Sequence, residues 1–153
     1  MQRKTEVLER ILYKDASVSP SKEEMRIAED FIKSTLSLPD TFKIRRVGDR
    51  LALIKKDCIV PPHAVFLSGV CLGQIEKGRL VPHHQLFSAL GEHFFRKASL
   101  SPEDAMRYLR GEELSSGTEN GYTAMFFGPL CLGGAKTANG RLKNHYPKGL
   151  RNP

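Results

Sequence analysis

The 153-residue chain has no tryptophan, only three cysteines, and no acidic residue after Glu119. Each shortage excludes something. Cys58, Cys71 and Cys131 form an odd, widely spaced set without a CxxC pair, which argues against a zinc site and against a disulfide framework. Each lies beside apolar neighbours and reads as a small core residue, as expected in a reducing cytoplasm. The N-terminal MQRKTEVLERILYKD is charged throughout and lacks the apolar run of a signal peptide. No stretch approaches the ~20 apolar residues of a membrane helix. Lone Asp and Glu residues fall in helical first turns and loops and make no acid/base pair, and no Ser/His/Asp constellation can be assembled. No catalytic or metal-binding residue is therefore nominated. His83-His84 reads as one capping and one exposed histidine, because neighbouring side chains point in different directions; a phosphate contact by one of them is the minor alternative.

What is present is an ordinary globular balance, 40% hydrophobic and 27% charged residues, enough for one domain or one domain with a helical appendage. The net charge of +7 and a pI near 9.5 favour nucleic acid over acidic metabolites as a partner. Five of those charges, Lys136, Arg141, Lys143, Lys148 and Arg151, lie in the final KTANGRLKNHYPKGLRNP with nothing acidic to offset them. Gly140, Pro147 and Gly149 set backbone geometry there, and Leu142 and Leu150 seek burial. The segment reads as an ordered cationic surface rather than a loose tail.

The spacing predicts an amphipathic helix over 3–14, then a break at DASVSPS. Ser21-Lys22-Glu23-Glu24 has the form of a capping box and opens a helix over about 21–36, stopped before Pro39. Short strands follow. Phe42, Ile44 and Val47 turn at Gly48-Asp49-Arg50 into Leu51, Leu53 and Ile54. Pro61-Pro62-His63 interrupts, and Val65–Ile75 is an apolar strand bent at Gly69 and Gly73. After the Glu76-Lys77-Gly78 turn the strand resumes at Arg79-Leu80-Val81. A short helix is expected over Pro82–Gly91. Another is opened by Ser101-Pro102-Glu103-Asp104 and ends at Gly111. After a polar SSGTEN loop come strands Tyr122–Phe127 and Leu130–Lys136, and Asn139-Gly140 marks a tight turn. The fold class is α+β: a small pseudo-barrel of short mixed strands with inserted short helices, preceded by one or two helices.

Several ordered motifs carry a resemblance. Lys77-Gly78-Arg79, Pro82-His83-His84, Tyr108-Leu109-Arg110-Gly111-Glu112 and Leu142 through Arg151 resemble the C-terminal RNA-binding region of RsmF-like, Sun-family ribosomal RNA 5-methylcytosine methyltransferases. The similarity runs from about Gly48 to Arg151. It implies a PUA-like fold that holds RNA beside a separate catalytic domain. One departure is that the family's closing strand commonly reads LGWGK, whereas this chain has Gly133-Gly134-Ala135-Lys136. A larger one is that nothing resembles the glycine-rich loop with which the family's catalytic half binds S-adenosylmethionine. No cysteine stands in the family's Pro-Cys or Thr-Cys setting, since Asp57, Val70 and Leu130 precede the three. S-adenosylmethionine is thus implied for a methyltransferase domain outside this chain, and no cofactor is expected within it. The chain reads as a separated C-terminal part of such an enzyme or a stand-alone relative.

The expected organisation is a linker or short helix at 1–19, a lead-in helix at 20–40 and a PUA-like RNA-binding domain at 41–153. The function this implies is to position structured ribosomal RNA for cytosine 5-methylation by a methyltransferase domain, joined in cis or acting in trans. The rival expectation is a protein-interaction domain that docks on a ribosomal protein or on the catalytic domain without touching RNA. The expected phosphate contacts are Lys136, Lys143 and Arg151, then Arg141 and Lys148. Tyr146 would stack on an unpaired base or pack under the last turn. Asn144 would contact RNA or fix a turn, and Arg79 would meet phosphate or pair with Glu76.

Overall fold

The computed structural model describes residues 19–58, 69–115 and 119–153. The expected helix at 3–14, the Pro61-Pro62-His63 break, the start of the Val65–Ile75 run and part of the SSGTEN loop lie outside the described residues. The chain divides into two compact units. One takes in residues up to Asp30 and Leu38–His83; the other comprises Phe31–Ser37 and His84–Pro153.

Helix α1 (Lys22–Thr35) starts where the capping box places it. The Ser21 amide donates to Glu24 Oε2 at 2.7 Å and the Glu24 amide donates to Ser21 Oγ at 3.1 Å, so two amides with no helical acceptor find partners. The rest of the first unit is an antiparallel meander of β1 (Phe42–Val47), β2 (Arg50–Lys55), β3 (Val70–Glu76) and β4 (Arg79–Pro82), in that spatial order. Val47 pairs with Arg50 across the Gly48-Asp49 turn. A bulge between Leu51 and Ala52 bends the sheet at Gly73, where any Cβ would run into the Val81 carbonyl. Leu51, Ala52, Leu53, Ile54, Cys71, Leu72 and Leu80 are among its buried apolar residues.

The second unit is a mixed five-stranded sheet in the order β5-β7-β8-β9-β6: β5 (Lys97–Ser99), β7 (Gly121–Phe127), β8 (Leu130–Ala138), β9 (Arg141–Asn144) and β6 (Leu114–Ser115). Strand β5 runs parallel to β7; the other pairings are antiparallel. The sheet curls, and this is the α+β pseudo-barrel expected from the sequence. Helix α2 (His84–Leu90) lays Phe87 against Gly134 of β8, so closely that a Cβ on Gly134 would enter the Phe87 ring. Phe87 also stacks on Phe94 at 4.7 Å. Gly134 falls where the resembled pattern carries tryptophan, and Phe87 takes the space a side chain would need.

On the other face, helix α3 (Pro102–Leu109) packs Tyr108 into a cluster with Leu114, Met125, Ala135 and Leu142. Ser101 caps α3 by accepting from the Asp104 amide at 3.1 Å. The Tyr108 hydroxyl donates to the Gly134 carbonyl at 2.8 Å, which satisfies the polar end of a buried ring. Strands β5, β6 and β9 are too short or too polar to show a strand pattern in the sequence; pairing alone makes them.

Candidate nucleic-acid interface

The site grows from one turn. Asn139 and Gly140 both have positive φ, 52° and 77°, so a two-residue loop joins β8 to β9. Such a loop dictates register: Ala138 pairs with Arg141 and Lys136 with Lys143. On the other side of β8, Lys136 pairs with Tyr122 of β7. Tyr122, Lys136 and Lys143 therefore form one row across three strands on one face of the sheet. By the same period of two, Arg141 shares that face of β9 with Lys143.

The row is held in place by aromatic packing. Lys136 Nζ lies 5.1 Å from the Tyr122 ring centroid, a cation–π contact. The His145 ring meets Tyr122 edge-on at 5.7 Å, and Phe31 from the end of α1 meets it at 5.8 Å. Burial pushes the His145 imidazole below its ordinary pKa, and the charges of Lys143 and Lys136 push it further. His145 is thus kept neutral between two ammonium groups.

Two lysines directly opposite one another on adjacent strands repel. Nothing acidic relieves them: Lys136, Arg141, Lys143 and Lys148 make no ion pair among the described residues. Other cations of this unit do, as in Arg96–Glu119, Lys97–Glu92, Arg107 with Asp104 and Glu112, and Arg110–Glu112. An uncompensated cationic row with a neutral, protonatable imidazole beside it suits a polyanion.

The remaining nominated residues lie elsewhere. Asn144 is turned inward and 7% exposed. Its amide donates to the Tyr108 and Glu112 carbonyls at 2.8 and 2.9 Å, and its oxygen accepts from the Tyr146 amide at 2.7 Å. Both donors are spent, so Asn144 is a clamp between β9 and the end of α3. Tyr146 packs its ring on Tyr108 at 5.5 Å and on His84 at 5.6 Å. Arg151 folds back over Gly111, its Nε and Nη2 donating to the Tyr146 carbonyl at 3.3 and 3.2 Å. Lys148 is exposed on the short 3-10 turn Lys148–Leu150. Arg79, at the start of β4, belongs to the other unit. Within this unit the structure thus brings Lys136, Arg141 and Lys143 together and gives Asn144, Tyr146, Lys148 and Arg151 other settings. Sequence reasoning did not nominate Tyr122 or His145. The Asn139-Gly140 turn held the signal, since its register alone places Lys143 opposite Lys136.

Among the described residues there is no group of three His, Cys, Asp or Glu able to hold a metal ion, and no helix is long and apolar enough to cross a membrane. Burial pushes the thiols of Cys71 and Cys131 up, away from the thiolate form a nucleophile needs.

Residues 95–152 match the family model of the methyltransferase RsmF PUA domain. This segment is similar to that domain and has its PUA-like fold. The PUA-like region contains every strand of the five-stranded sheet, together with α3 and the whole cationic row. No curated protein matches the chain.

Proposed function

We propose that this chain is an RNA-binding accessory module that positions structured ribosomal RNA for cytosine 5-methylation by a separate methyltransferase domain, acting in cis or in trans in the cytoplasm. The observation that carries this reading is the directly opposed Lys136–Lys143 pair, acid-free and braced by Tyr122 and His145, inside the PUA-like region. A phosphate placed between the two ammonium groups converts their repulsion into two charge-assisted contacts. Arg141 extends the same face along the backbone of the RNA. Binding rests on counterion release and on shape rather than on base reading. S-adenosylmethionine and the chemical step belong to the methyltransferase domain.

The test is fluorescence anisotropy of a labelled small-subunit ribosomal RNA fragment across a salt series. With three phosphates neutralised by Lys136, Arg141 and Lys143, the slope of log affinity against log salt should be near −2, at ~0.7 per contact. A flat salt response, or unchanged binding by a Lys136→Ala/Lys143→Ala protein, rejects the reading.

A further inference from the structure

The five-stranded sheet curls without closing, because its end strands β5 and β6 each have a single strand partner among the described residues. Arg96 accepts from the Ala124 amide at 2.9 Å and the Leu100 amide donates to Phe126 at 2.8 Å, so both turn their peptide groups towards β7. With a period of two, Lys97 and Ser99 turn theirs to the outer edge. Beside that open edge lies a cavity of about 580 Å³, to which all five strands and α3 contribute. Met125, Leu142 and the hydroxyl-bearing Thr123 are buried lining residues, and Ser99 lies on its β5 side. Arg96 and Arg107 line it as well. Thr123, Met125 and Leu142 alternate with Tyr122 and Lys143 along their strands, so the cavity opens on the face opposite the cationic row.

We propose that this cavity is a slot for a single nucleotide, its base inside and its phosphate on Arg96 and Arg107. Three features select that chemistry. An apolar floor with a methionine thioether suits the face of an aromatic ring. The outward peptide groups of Lys97 and Ser99 and the Thr123 hydroxyl offer in-plane donors and acceptors to a base edge. The two guanidinium groups are held by solvent-exposed carboxylates, Glu119, Asp104 and Glu112, in ion pairs of little net worth, and they exchange readily for a phosphate. The volume lies within the ~300–1,000 Å³ usual for small-molecule sites. An added peptide strand fits less well, because β5 has three residues and β6 two, short of the ~5–6 typical of a strand. The source is an unpaired nucleotide turned out of an RNA or a free mononucleotide. The first deepens the RNA-binding reading and rests on it; the second does not.

The full chain carries four methionines, Met1, Met25, Met106 and Met125, so methionine-methyl NMR reads the cavity floor directly. Titration with each of the four nucleoside 5′-monophosphates should shift the Met125 methyl saturably while leaving Met106, exposed on α3, in place. Ala98→Trp, in register with Met125 on the cavity face, fills the mouth and should abolish the shift, and Thr123→Val, which keeps the shape, should weaken it. In a second arm, a hairpin RNA with one bulged nucleotide is compared with its fully paired counterpart. Wild type should prefer the bulge by about tenfold, the worth of one stacked base. Ala98→Trp should lose that preference, whereas Lys136→Ala/Lys143→Ala should weaken both RNAs alike and keep it. A Met125 response without bulge preference supports a free mononucleotide as the ligand. A Met125 response in a protein that binds neither RNA upholds the slot and rejects the RNA-binding module. No Met125 response together with no bulge preference overturns the slot, as does a response to an extended peptide alone.

Discussion

The two units carry their positive charge differently. In the first unit, cations sit among acids: Arg46 lies 3.6 Å from Glu24, Lys56 bonds Asp40 at 2.6 Å, and Arg79 pairs in register with Glu76. In the five-stranded sheet the charges segregate. Helix α3, β5 and the residues around them pair their own cations with their own acids, while β8 and β9 align Lys136 and Lys143, which make no ion pair among the described residues. The histidines repeat the contrast. Burial lowers the pKa of both His83 and His145, but one arginine adds to the effect at His83 and two lysines at His145. Charge of one sign becomes a site when strand register places it opposite itself, and not merely when it is abundant.

That comparison can be broken or sharpened by substitution. The largest effect is expected from Phe87→Ala, which empties the space over Gly134 and should cost about 3–5 kcal/mol in urea unfolding; a small loss would mean that α2 does not anchor the sheet. Asn144→Ala strips donors from two carbonyls and should cost about 1–3 kcal/mol, with the salt slope of RNA binding unchanged. A changed slope would instead return Asn144 to the interface. Lys136→Ala/Lys143→Ala should flatten the slope by about 1.4 and weaken RNA binding about tenfold at physiological salt. Lys43→Ala/Arg79→Ala in the meander should do neither; equal losses from both pairs would erase the distinction between the units.

Lys143→Glu gives a sharper reading, because it sets an ion pair across β8 and β9. Stability should rise by about 0.2–1 kcal/mol while RNA affinity falls, two quantities moving in opposite directions. The smallest effect concerns pH. The folded pKa of His145 lies below its ordinary 6.5, so the unfolded chain takes up the proton first. The associated stability is present above pH 6.5 and is lost as pH falls through the folded value. A phosphate between the lysines reverses the sign at this site, so RNA affinity should increase as pH drops below 6.5. His145→Gln should abolish that increase, and His83→Gln should leave it intact.

Much of the fold was legible because local chemistry decided it. Ser21 and Glu24 form the capping box, Ser101 and Pro102 open α3, and the Gly48-Asp49 and Asn139-Gly140 turns fall where the chain reverses. Strand β6, two residues long, left no trace, because its structure comes wholly from pairing with β9. The site was half legible. The absence of acids after Glu119 located the charge, but Asn144 and Tyr146 were drawn inward by Tyr108 and Glu112, partners more than thirty residues away in sequence, and Arg151 was turned back onto the Tyr146 carbonyl.

The amino-acid sequence by itself determined the caps, the tight turns, the α+β composition and the charge excess, since each depends on neighbours a few residues apart. Only the tertiary structure decided which cations share a face, that Tyr122 and His145 brace them, and that a cavity opens behind them. Those outcomes depend on strand pairing and on which side chain reaches a buried partner first, and neither is encoded within any short window of the chain.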